Sequence, residues 1–198
     1  LIKANNLSKS FNGNRIFSGI NLIVEKSTIL GVVGNNGSGK TTLLKIVAGI
    51  ISSDTGNINL NANIKLDFLG HENMLYQNFS ISENIDFFSD ISGFRISSEL
   101  QDEIEKALGL QNILGKKISD LSYGQRKKAS MLRSLISSPD LLLLDEPFSN
   151  LDSESTDSFI SILKTLKKEN KSVVISSNRK DVVGLVSDDL LNMDDYNE

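Results

Sequence analysis

The sequence predicts an α/β fold: a mostly parallel core sheet, an antiparallel β subdomain before it and a helical subdomain inserted into it. Three short apolar runs carry that prediction, at residues 29–33, 141–144 and 173–175. Runs of this length, rich in Val, Ile and Leu, read as strands buried on both faces. Each is followed by polar or Gly-rich residues, as where parallel strands deliver functional loops to one sheet edge. Helical periodicity between the runs completes the alternation of strand and helix.

Taken in order, the chain up to residues 56–60 reads as shorter antiparallel strands, with turns at Asn12-Gly13 and Thr55-Gly56. After the first apolar run, Leu43, Leu44, Val47 and Ile50 fall on one helical face. Ile104, Leu108 and residues 125–136 read as further helices, and the stretch from about 73 to 137 reads as the inserted subdomain. Phe159, Ile162, Leu163 and Leu166 mark another amphipathic helix before the last run. With two Pro, no Gly/Ser-rich linker and no internal repeat, residues 1–198 read as one domain.

Composition narrows the function classes. The net charge of −4 argues against nucleic acid as the main partner, although 21 Lys and Arg remain for local phosphate contacts. Cysteine is absent, which excludes a disulfide framework, a thiolate metal site and a cysteine nucleophile, and suits a reducing cytosol. No stretch approaches the roughly 20 apolar residues that span a bilayer, and the start lacks the regions of a signal peptide. A membrane role is therefore expected to come through a partner chain.

The sharpest motif is Gly34-Asn35-Asn36-Gly37-Ser38-Gly39-Lys40-Thr41, followed by Thr42, between a strand and a helix. It satisfies the Walker A pattern of P-loop NTPases. Glycines let backbone N–H groups turn inward around phosphates, and the helix N-terminus adds partial positive charge. Lys40 is placed to reach the β- and γ-phosphates of ATP, and the Thr41 hydroxyl to ligate Mg²⁺. A plain Gly-rich turn is the alternative, and the complete motif in this context disfavours it. The run 141–144 ends in Asp145 and Glu146. Asp145 is expected to hold Mg²⁺ through water, as hard oxygen suits that ion. Glu146 is expected to take a proton from, or orient, the attacking water.

Leu121-Ser122-Tyr123-Gly124-Gln125 resembles the signature of ABC transporter ATP-binding subunits, usually Leu-Ser-Gly-Gly-Gln, and the resemblance covers essentially the whole chain. It implies that Ser122, Gly124 and Gln125 grip the γ-phosphate held by the opposite subunit, in a head-to-tail dimer with two ATP sandwiched. That dimer is a homodimer or a heterodimer with a second nucleotide-binding subunit. By itself the pentapeptide also suits a helix start with Ser122 as N-cap. Phe11 matches the aromatic that stacks on adenine, or is a core residue. Residues 147–152 resemble the D-loop, with Asp152 crossing the dimer interface, N-capping the next helix, or both.

Two positions depart from the family pattern. His71 stands where the Q-loop has Gln; it either hydrogen-bonds near the γ-phosphate, making that step sensitive to pH, or is a solvated loop residue. Asn178 stands where the switch His is usual, and its amide never carries charge. Loss of a charge-assisted contact worth roughly 2–3 kcal/mol implies hydrolysis slowed about 10- to 100-fold.

The resemblance further implies a cytoplasmic subunit, peripheral on the inner face of the membrane through an ABC transporter membrane subunit. The groove near residues 71–85 would receive that subunit, with Phe79, Ile81, Phe87 and Phe88 as docking residues or as subdomain core. Small size and the Gly70-His71 pair, together with the basic residues after the signature, resemble the haem-exporter subunit of cytochrome c maturation. An exporter is thus expected, with cargo chosen by the membrane subunit. A soluble ABC protein working on nucleic acid is disfavoured by the single Walker A motif and the lack of room for heptads. A nucleotide sensor without turnover stays open because of Asn178 and His71. Asp188-Asp189 and Asp194-Asp195 read as solvated surface.

Overall fold

The structure, a computed structural model, describes residues 1–70, 74–93 and 95–197. Strand β1 (Ile2–Phe11) pairs antiparallel with β2 (Asn14–Val24). Asn12 and Gly13 both have positive φ, 51° and 81°, which suits the two-residue turn expected there. After β3 (Ile29–Val33) and α1 (Lys40–Val47), β4 (Thr55–Leu60) adds to the free side of β1, giving the order β2-β1-β4. The turn expected at Thr55-Gly56 is instead the start of that strand. The chain reverses just before it, where the Asp54 carboxylate accepts from Ser10 N–H and the Lys9 ammonium, each at 2.7 Å.

The second sheet is parallel throughout, in the order β5-β6-β7-β3-β8. Its further strands are β5 (Leu66–Leu69), β6 (Leu141–Asp145), β7 (Ser172–Ser177) and β8 (Asp189–Asn192). All three predicted core strands are present, β6 and β7 slightly longer than their apolar runs. The two edge strands escaped the sequence reading because short, half-exposed segments such as Leu-Asp-Phe-Leu lack a continuous apolar signal.

Alternation along the strands separates two cores. Leu30, Val32, Leu141, Leu143 and Val174 face the antiparallel sheet and the buried Leu43, Leu44 and Val47 of α1. Ile29, Val33, Leu142, Leu144, Val173 and Ile175 face the other way. There they meet α4 (Tyr123–Ile136), α5 (Ser153–Lys168) and α6 (Lys180–Gly184). The helices α2 (Ile81–Ser92) and α3 (Ser98–Ala107) extend that second core, with Ile81, Ile85 and Ile104 buried in it. Ile50 leaves the face assigned to it: α1 ends before it and it is 55% exposed. Among the described residues no helix is long and apolar enough to cross a membrane.

Gly31 lets α6 lie directly on β3. A Cβ there would be 2.4 Å from Val183 Cγ1 and 2.5 Å from Leu190 Cδ2. Gly31→Ala is expected to destabilise the fold by about 1–3 kcal/mol through overpacking. Urea unfolding should show a lower midpoint at unchanged m; an unchanged midpoint would refute the close packing argument.

Candidate functional site

Parallel pairing brings the ends of β3, β6 and β7 to one edge, where loop 34–39, Glu146 and Asn178 emerge together. The loop needs its glycines. Gly39 has φ 92°, and a Cβ on it would be 2.6 Å from Ile16 Cγ2. Gly34 has φ 153°, with its Cβ position 2.6 Å from Ser38 Oγ. Within the turn, Ser38 N–H donates to Asn35 O at 3.1 Å. The buried Lys40 ammonium donates to Gly34 O and Asn35 O, both at 2.9 Å, and lies 3.7 Å from Glu146 Oε1.

Thr41 Oγ1 lies 3.0 and 2.8 Å from the two carboxylate oxygens of buried Asp145. Ser176 Oγ donates to Asp145 Oδ1 at 2.5 Å, and Ser177 Oγ to Glu146 Oε2 at 3.1 Å. Consecutive strand residues face opposite sides, so Asp145 and Glu146 share a site only if the chain turns between them. It does: Glu146 has φ 49°, held by its N–H to Ser176 O at 3.0 Å and to Ser176 Oγ at 3.1 Å. A non-Gly residue in that region costs on the order of 1–3 kcal/mol, a strain found at functional sites.

A cavity of about 440 Å³ opens over this edge, lined by Gly37, Gly39, Lys40, Thr41, Thr42 and Glu146. Asn36, Ser149, Asn150 and Asn178 also line it, and Asn178 Nδ2 donates to Asn36 Oδ1 at 3.3 Å. Other expected site residues stand apart from that lining. Phe11 ends β1, 46% exposed, which overturns its reading as core; the Lys9 ammonium is 5.2 Å from its ring centroid. Ile16 lines the cavity instead, unmarked by any motif.

Ser122, Gly124 and Gln125 begin α4 in a capping box. Gln125 N–H donates to Ser122 Oγ at 3.2 Å, and Ser122 N–H to Gln125 Oε1 at 3.0 Å. Asp152 caps α5, accepting from Ser155 N–H at 2.7 Å, and these bonds from Ser155 hold its carboxyl below the usual range. His71 lies outside the described residues.

Several contacts had no sequence signal. The Asp194 carboxylate accepts from Asn35 N–H and Nδ2–H, both at 3.0 Å, bracing the Gly-rich loop. Asp188 accepts from Ile29 N–H at 2.8 Å and pairs with Lys167, so neither residue is merely solvated surface. Lys127 reaches the Glu146 carbonyl at 2.5 Å. Burial pushes its ammonium down to about 8, against the opposing pull of the Glu146 and Asp145 carboxylates.

The family model described as ABC transporter matches residues 17–149. An uncharacterized ABC transporter ATP-binding protein of Methanocaldococcus jannaschii is 33% identical over 193 residues, 96% of this chain and 72% of that protein. The zinc import ATP-binding protein ZnuC of Wolbachia pipientis is 35% identical over 186 residues, 90% of this chain and 73% of its own. Among solved structures, an ATP-binding subunit of an ABC transporter superposes with a TM-score of 0.85 at 17% identity. That superposition covers 97% of this chain and 85% of the other, and establishes the fold alone. On the family match and these sequence identities, the chain belongs to the ABC transporter family as an ATP-binding member.

Proposed function

We propose that this chain hydrolyses ATP as the motor subunit of an ABC transporter. The observation that carries the reading is the convergence of Lys40, Thr41 and Glu146 on one cavity, with buried Asp145 hydrogen-bonded behind Thr41. The groups fit a magnesium nucleotide. Lys40 is held by two loop carbonyls with its ammonium near the cavity, and the Thr41 hydroxyl and Asp145 carboxylate form a hard-oxygen pair. Among the described residues, buried Ser38 Oγ has no hydrogen-bond partner. Among the described residues no cluster of three or more acidic, His or Cys groups could hold a metal. That suits Mg²⁺, which is usually bound by one or two side chains plus phosphate oxygens.

Loop 34–39 and the start of α1 cradle the phosphates, with Lys40 reaching the β- and γ-phosphates. Thr41 and Asp145 would hold Mg²⁺, which when bound neutralises charge on the phosphate oxygens. Glu146 takes the Ser177 hydroxyl on Oε2 and lies 3.7 Å from the Lys40 ammonium through Oε1, a position from which it would orient water in line and accept its proton. Ser122 and Gly124 do not line this cavity, which suits their assignment to the ATP of a second subunit. ATP then selects the closed dimer, and phosphate release reopens it.

The membrane subunit would dock beside α2. There Tyr76, Phe79, Phe87 and Phe88 form an aromatic cluster, with Tyr76 and Phe87 centroids 4.8 Å apart and Phe79 38% exposed. Ile81, by contrast, is core. Neither relative described above carries a name that mentions haem export, and the one whose name states a cargo is a zinc import protein. The expectation of haem export therefore finds no support in them.

Asn178 supports slow turnover, since it offers one neutral amide at 3.3 Å from Asn36 where the family usually has His. Phosphate release from the purified chain with Mg·ATP tests the reading. Asn178→His is expected to raise the rate about 10-fold or more. A parent already as fast as its Asn178→His variant would overturn the handicap. ATP-driven dimerisation without phosphate release, with or without a membrane partner, would favour a nucleotide sensor.

A further inference from the structure

Lys127 is a buried cation in the second turn of α4 that belongs to none of the nucleotide motifs. Its ammonium donates to the carbonyls of Glu146, at 2.5 Å, and of Ser149, at 3.1 Å, and also to Ser149 Oγ. Ser149 Oγ in turn donates to Glu146 O at 2.9 Å, so the three acceptors form one closed knot. One turn before Lys127, Gly124 lies against the same segment: a Cβ on it would be 3.8 Å from Asn150 O. Residues 146–150 turn sharply, with Glu146 at φ 49° and Asn150 at φ 58°. Such strained backbone persists only where its surroundings over-determine it.

We propose that Lys127 is a positioning residue that fastens the Ser122–Gly124 end of α4 to the backbone of Glu146 and Ser149. The proposal rests on the functional reading above. In a head-to-tail dimer, the start of α4 addresses the partner's ATP while Glu146 addresses the chain's own. A rigid link between them makes closure on one nucleotide set the carboxylate at the other. An ammonium suits that task because it offers three donors to three convergent acceptors. These part-buried carbonyls, left without it, would be free to relax, and the left-handed Glu146 with them.

Lys127→Met keeps the packing and removes the donors, while Lys127→Gln keeps an amide donor without the charge. Steady-state hydrolysis, nucleotide affinity, and amide exchange over residues 148–152 should be measured on both. The expected result is a fall in kcat of about 10-fold or more in Lys127→Met and a smaller one in Lys127→Gln, with KM for ATP within about twofold. Exchange at 148–152 should rise in the same order. Unchanged kcat and exchange would overturn the proposal, as would a kcat loss matched by weakened nucleotide binding, which marks a general structural role. If Lys127→Met does not fold, Lys127→Gln carries the same test. If the parent releases no phosphate the functional reading fails, whereas amide exchange still decides whether Lys127 holds the segment.

Discussion

Glu146→Gln is expected to lower phosphate release by about 10²-fold or more while leaving ATP binding intact, in line with the worth of a positioned general base. Glu146 Oε2 takes the Ser177 hydroxyl at 3.1 Å, and Oε1 lies 3.7 Å from the Lys40 ammonium. A Gln side chain fills the same space but cannot accept a proton at neutral pH. Its backbone bonds to Ser176 are untouched, so the left-handed turn survives. Removing a carboxylate beside Lys40 also removes repulsion toward the γ-phosphate, so the ATP-bound dimer should persist longer in size-exclusion runs. Phosphate release at the parental rate would remove Glu146 from the chemistry. Loss of ATP binding along with activity would assign it to the nucleotide cradle instead.

Lys40→Met is expected to weaken ATP binding by about 10- to 100-fold, since charge-assisted hydrogen bonds contribute roughly 1.5–3 kcal/mol each. Met preserves most of the stem's packing inside the loop, where the Lys40 side chain is 6% exposed. The variant loses the ammonium that bridges Gly34 O and Asn35 O, and with it the charge facing the cavity. Calorimetric titration with a slowly hydrolysed ATP analogue reads the affinity directly. Binding within twofold of the parent would contradict the assignment of Lys40 to the phosphates.

The same residues separate what is local in this protein from what is not. Gly34 to Thr41 were legible as a candidate phosphate loop because such a motif is contiguous: the glycines, the lysine and the helix start lie in one octapeptide. The three central strands were legible because burial on both faces demands an uninterrupted apolar run. Ser122 and Asp152 were recognised as caps because a cap bonds two or three residues ahead of itself.

Contacts across strands left no such trace. Ser176 and Ser177 orient both carboxylates from 31 residues away, and Asp194 braces Asn35 from 159 residues away. Ile16 reaches the cavity only because β2 crosses beside the loop. Thr55 and Gly56 carry turn chemistry yet open a strand, because pairing to β1 outweighs their local preference.

The sequence by itself determined the fold class and marked the Gly-rich loop and the two carboxylates as candidate site residues, since each depends on periodicity or on neighbours along the chain. Only the tertiary structure decided which contacts hold Glu146 in its left-handed turn beside Lys40, and that Lys127 lies behind it. Hydrogen bonds between distant segments depend on where parallel strands end in space, and that placement is not written at any one position.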